Sequence, residues 1–151
     1  MRVKGYPGKQ TLAPGDKVTI YAFACEAFVK VGIARDAAQR LRQVQSANPF
    51  PVRLVASRRI RHEVAALAEA LAHRELAAHH QHGEWFRCSR QEARGAIWRA
   101  VTAARRQHQP DPAYEAAYAA RVAQSENEVR ASRERIPGAT PETHASDTHA
   151  K

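Results

Sequence analysis

Cysteine is almost missing from this chain: its 151 residues hold two, Cys25 and Cys88, with no short-spaced pair between them. That excludes a disulfide framework and argues against a closed structural zinc site, so both read as free thiols of a reducing cytosol. Long apolar runs are missing too. Nowhere do about 18 apolar residues follow one another, which leaves no candidate membrane span, and the basic start "MRVKGYPGKQTLAPGDK" lacks the apolar core of a signal peptide. The expectation is a cytoplasmic chain with no membrane partner. Acidic side chains are scarce, 15 against 24 Lys and Arg, for a formal charge of +9. Such a field favours polyanions over acidic or neutral partners, with nucleic acid first among them. No internal repeat, zinc finger, helix-turn-helix or other reading head is recognisable, so the sequence names no nucleic-acid target.

What is present fits one globular domain with 44% hydrophobic residues. The positive charge is concentrated in residues 1 to 106, which hold 19 basic and 8 acidic side chains, whereas residues 107 to 151 hold 5 and 7. Residues 1 to 17, rich in Gly, Pro and Lys, read as a flexible basic arm. "VTIYAFA" alternates, with Val18, Ile20 and Ala22 on one face and Thr19, Tyr21 and Phe23 on the other. "FVKVGI" follows after a break at Cys25 to Ala27, and the two read as a hairpin. A register pairing residues whose numbers sum to an odd value such as 51 would set Tyr21 opposite Lys30, both on one face. Asp36 caps a first helix with Ala37, Leu41 and Val44 on one stripe, ended by Asn48-Pro49. "VRLVASRRI" is a third strand. A second helix is expected from His62 to about His80, with Val64, Leu67, Ala68, Leu71, Ala72 and Leu76 inward. Ser89 and Glu92 make a capping box for a third helix that turns Ala93, Ile97, Ala100, Val101 and Ala104 inward. Pro110-Asp111-Pro112 then breaks the chain, a mixed-charge helical extension occupies residues 107 to 136, and residues 137 to 151 have the composition of a disordered tail. The fold class is α+β, a small three-stranded antiparallel sheet flanked by helices.

On the second helix, Glu69 and His73 lie one turn apart at the edge of the apolar stripe, with His62 and His80 on the same shoulder. Amphipathic helices often carry such a solvated polar flank, and that is the plainer reading. His73, His79, His80, His82 and Cys88 lack the ligand spacing of a zinc site, so an Mg²⁺-adjacent, solvated or DNA-facing role is favoured over zinc. Trp85 and Phe86 read as core residues sealing the end of the second helix rather than as a base-stacking platform. Arg42, Arg58, Arg59 and Arg61 are candidates for phosphate contact.

Taken in order, "TIYAF", "VKVGIARDAAQRLRQ", "AEALAHREL" and "HGEWF" resemble the GIY-YIG nuclease superfamily. The likeness is to its compact branch, in which the second motif reads K-x-G and the metal-binding helix is followed by Glu-Trp-Phe. It covers about residues 18 to 88, and it rests on the ordered set, since each motif alone is common. The resemblance implies that Tyr21 activates the attacking water, that Gly32 is the glycine of the second motif, and that Arg40 holds the scissile phosphate. It further implies that Glu69 binds one divalent metal, Mg²⁺ or Mn²⁺, with His73 one turn after it. Phosphodiester hydrolysis needs such groups, because charge builds on the phosphoryl and leaving oxygens while the water needs a base. Lys30 across the hairpin is expected to favour the Tyr21 phenolate or to neutralise the phosphate.

The chain departs from the family pattern in three places. Thr19-Ile20-Tyr21 lacks the glycine of the first motif, Lys30 replaces a second tyrosine, and no later asparagine has an evident counterpart. The function expected is a metal-dependent DNA endonuclease that nicks at one site, with a homodimer or two encounters needed to cut both strands. The alternative is a catalytically inactive DNA-binding module using the same basic groove.

Overall fold

The computed structural model describes residues 12–134; the first eleven residues of the basic arm and the tail from 135 lie outside them. Ten elements follow one another: β1 (Lys17–Cys25), β2 (Phe28–Ala34), α1 (Ala37–Ser46), β3 (Arg53–Arg61), α2 (His62–Glu75), a 3₁₀ turn (Ala77–His79), β4 (His80–His82), β5 (Trp85–Phe86), α3 (Arg90–Gln107) and α4 (Pro112–Glu134). The chain divides between Asp111 and Pro112 into two compact units, the second containing α4. No helix among the described residues is long and apolar enough to cross a membrane.

The strands form one antiparallel sheet in the order β3-β1-β2-β5-β4. This corrects the expected three strands to five. The difference lies where α2 stops at Leu76 rather than running to His80, and the histidine-rich stretch turns back as a hairpin of three and two residues about Gly83, which has φ +55°. Strands that short show no alternation, and histidine and alanine carry no stop signal.

β1 is the central long strand, and from Val18 to Cys25 it is buried on both faces. Its even-numbered side, with Val29, Val31 and Ile60, packs on Val64, Ala65, Ala68 and Ala72 of α2 and on Ala93, Ile97, Ala100, Val101 and Ala104 of α3. Its odd-numbered side, Tyr21, Phe23 and Cys25, packs with Val52 under Ala37, Leu41 and Val44 of α1. Burying a single large aliphatic or aromatic side chain is worth about 1.5–3 kcal/mol, so this doubly covered strand is the anchor of the domain. The expected caps are present: Asp36 Oδ1 accepts from Gln39 N at 2.9 Å, and Ser89 and Glu92 form the reciprocal capping box of α3. The described part of the arm is tied down, with Leu12 against the core and Asp16 O accepting from His62 N at 2.9 Å.

The hairpin register differs from the expected one by two residues. Tyr21 pairs with Gly32, and Lys30 pairs with Phe23, so the sum is 53. The parity holds, which keeps Tyr21 and Lys30 on one face as diagonal neighbours rather than directly opposite each other.

Candidate active site

Tyr21 is held by what surrounds its ring. The side chain stacks on Phe23, two residues along the same face of β1, with centroids 3.9 Å apart and planes at 15°. Its hydroxyl lies over the backbone of Gly32: a Cβ built on that glycine would stand 2.7 Å from Tyr21 Oη and 3.0 Å from Cζ. Only a residue with no side chain leaves the phenol this position, which gives the glycine of the K-x-G stretch a steric reason.

Glu69 and His73 meet β2 along an edge that no strand covers. β5 pairs with Val29 and Lys30 only, and Val31 N donates to Glu84 O at 3.1 Å, so the edge beyond is open to α2. Ile33 N–H donates to the Glu69 carboxylate, and His73 Nε2 donates to Val31 O at 2.9 Å. The match is one of spacing: four helical residues advance about 6.0 Å, and the same edge of a strand repeats about every 6.8 Å. One helical turn therefore satisfies both backbone groups of one strand repeat. Because a carbonyl can only accept, the His73 proton sits on Nε2, and the ring also packs on Phe86 with centroids 5.1 Å apart.

Burial lifts the Glu69 carboxyl above the usual carboxylate range; the Glu84 carboxylate pushes the same way, and His73, the Ile33 N–H and Lys30 oppose it. Burial also pushes the Tyr21 phenol up to about 12, against the Arg40 guanidinium, which draws it down, while Glu84 and Glu69 add to the rise. The cation that favours the phenolate is thus Arg40, a part that the hairpin alone offered to Lys30 as one of two, the other being to neutralise the phosphate. Lys30 Nζ is ion-paired with Glu84 and lies 5.9 Å from the Trp85 ring centroid. Arg40 stands exposed on α1, with Nη1 3.4 Å from Gln43 Oε1.

Arg40 of α1 and Glu69 of α2 therefore each come within electrostatic reach of Tyr21 on β1, with Lys30 on the same sheet face and His73 fastened behind Glu69. Glu84, which acts on both Tyr21 and Glu69, is a candidate site residue that the motifs did not single out. Its one signal was its place in "GEWF", and the hairpin that brings it beside Lys30 was not legible. The outer arginines are divided. Arg59 pairs with Thr19 on the Tyr21 face, whereas Arg58 pairs with Ile20 on the other face and stacks on Trp98 of α3, its Cζ 3.8 Å from the ring centroid. Arg61 is bonded to Glu63, with Nη2 2.6 Å from Oε1, and Arg42 is exposed on α1. Trp85 and Phe86 likewise face opposite ways, Phe86 into the core against His73 and Trp85 half-buried beside Lys30.

A family model, the T5orf172 domain, matches residues 18–101. The chain belongs to the T5orf172 domain family. The match spans the sheet, α1, α2 and most of α3, and so contains every group just described. T5orf172 domains are associated with GIY-YIG-like, phage-type endonuclease-like folds, which agrees with a nucleic-acid-directed domain. Comparison with curated proteins and with solved structures gives no match.

Among the described residues no group of three His, Cys, Asp or Glu side chains is placed to enclose a metal ion. The candidate site instead offers Glu69, half-buried, with Glu84 close enough to raise its pKa. Mg²⁺ is commonly bound by one or two carboxylates together with waters and substrate phosphate, so this donor set fits a divalent ion held jointly with the nucleic acid.

Proposed function

We propose that the domain is a metal-dependent DNA endonuclease that hydrolyses phosphodiester bonds at a single GIY-YIG-type site. The observation that carries this reading is the convergence on one buried phenol, seated on Gly32, of a guanidinium from α1 and a carboxylate from α2, each close enough to move its pKa. Arg40 would hold the scissile phosphate and offset its growing charge. Tyr21 Oη would accept the proton of the attacking water; its own proton must leave first, and Arg40 favours that loss while Glu84 opposes it. Glu69 would hold Mg²⁺ or Mn²⁺, which when bound supplies Lewis acidity to the phosphoryl and leaving oxygens. His73 keeps α2, and with it Glu69, against the edge of β2. One site per chain nicks; cutting both strands takes a second copy or a second encounter.

A second reading is favoured by one observation: a phenol near 12 is protonated at neutral pH, as it would be in a catalytically inactive DNA-binding module. Supercoiled plasmid incubated with Mg²⁺ or Mn²⁺ separates the two. The enzyme reading expects metal-dependent nicked circles, none from Tyr21→Phe, and none from Glu69→Gln, which still binds duplex. Intact plasmid with the parent protein at every metal and pH, together with tight salt-sensitive binding, leaves the inactive module.

A further inference from the structure

A cavity of about 360 Å³ opens on the same sheet face, beyond the end of the Tyr21-Phe23-Cys25 row. Its walls are Phe28, Phe50 and Trp85, with Cys25, Glu26 and His82 among the rest of the lining. None of these groups has a part in the chemistry proposed above. We infer that this cavity binds an unpaired nucleobase of the strand whose phosphates lie along Arg40 and Lys30, taking a nucleotide that flanks the one cut. The inference rests on the reading of the neighbouring site as a phosphodiester site.

Four observations carry it. The cavity is at the small end of ligand pockets, too small for a partner helix and of a size for one planar ring system. Its three aromatic walls offer the π-faces on which bases stack, and stacking is tolerant of sequence because every base has such a face. Glu26 at the lining repels phosphate and so favours a base over the backbone there. Trp85 links the two places: it lines the cavity, it pairs with Lys30 in the sheet, and the Lys30 ammonium lies 5.9 Å from its ring centroid. Two strand repeats separate Tyr21 from Cys25, roughly 14 Å, so the stacked base belongs to a neighbour and not to the reacting nucleotide.

The exposed wall is held in place. Phe50 is 54% exposed, yet its loop is fastened by Gln45, whose Nε2 donates to Phe50 O at 3.1 Å and whose Oε1 accepts from Val52 N at 2.8 Å. Cys25 Sγ also lies 3.9 Å from Phe50 O. An aromatic ring kept in water on a pinned backbone is ready for a partner without further ordering.

Fluorescence anisotropy of the full chain in EDTA, with a labelled single-stranded oligonucleotide and its blunt duplex, tests this without cleavage. Phe50→Ala is expected to weaken the single strand about tenfold, to leave the duplex unchanged, and to be rescued by Phe50→Tyr. In a Trp98→Phe protein, where Trp85 is the one remaining tryptophan, the single strand should quench its emission and the duplex should not. Equal losses on both probes, an unchanged single-strand affinity, or an indifferent Trp85 overturns the base pocket. A parent that nicks plasmid while Phe50→Ala binds single strands normally keeps the enzyme and discards the pocket. A parent that never nicks but shows the Phe50 dependence keeps the pocket and discards the enzyme.

Discussion

At Gly32, one added carbon would stand 2.7 Å from the Tyr21 oxygen, and the ring it meets is buried between Phe23 and α1 with little room to swing. Gly32→Ala should therefore cost about 1–3 kcal/mol in denaturant unfolding and remove nicking even where the variant remains folded. Folded, active Gly32→Ala protein would mean that the phenol need not sit there. The charges around the phenol give a second test. Burial lifts the Tyr21 pKa to about 12 and Glu84 adds to the rise, so Glu84→Gln should lower it part of the way and also release Lys30. If the phenolate is the base, the rate below that pKa rises with the phenolate fraction, and the log rate against pH should move to lower pH in Glu84→Gln. Lys30→Ala, which leaves Glu84 uncompensated, should move it the other way. Profiles that coincide would detach Tyr21 from the proton transfer. At this scale the sequence showed the types of residue and not their partners: Tyr21, Arg40 and Glu69 were legible from motif order, whereas the pairing of Lys30 with Glu84 depends on a five-residue hairpin.

Among the elements, α2 serves β2 as a substitute neighbour through Glu69 and His73. His73→Ala leaves Val31 O without its donor and Phe86 without a ring contact, and urea unfolding should show a loss of about 1–3 kcal/mol. His73→Gln, which can still donate, should recover part of it. Lost nicking at unchanged stability would instead assign His73 to the chemistry. What was readable here followed signal strength. The alternation of β1 and the capping residues of α1 and α3 state their elements plainly, since each violates a local preference if placed otherwise. The hairpin offset was not readable, because its two-residue loop is Glu26-Ala27 with Glu26 at φ 53°, where such turns ordinarily announce themselves with Asn or Gly. The break therefore looked longer than it is, and the register came out two residues short with its faces correct.

For the whole molecule the uneven charge matters most: the body up to residue 106 carries the excess and the remainder is slightly acidic. Arg40, Arg42 and Arg59 stand exposed, with Arg59 on the Tyr21 face, while Arg58 and Arg61 are engaged by Trp98 and Glu63. Duplex affinity should fall steeply with salt, and replacing any of the exposed three by Ala should flatten the slope of log K against log salt by about 0.9. Arg58→Ala should leave the slope alone if the sheet face that carries Tyr21 is the one that meets DNA, and Arg61→Ala because that guanidinium is bonded to Glu63. An equal flattening by Arg58→Ala would put phosphate on the α3 face as well.

β3 ends the sheet, nine residues long, and four of them are arginines: Arg53, Arg58, Arg59 and Arg61. A long bare strand edge is ordinarily an invitation to a second sheet, and proteins that leave one uncovered risk fusing into fibrils. Here a second copy approaching edge to edge would bring cation against cation along the seam. Edge-to-edge pairing of two copies at β3 should therefore be resisted at high concentration, and that protection should be lost wherever a polyanion lies between them.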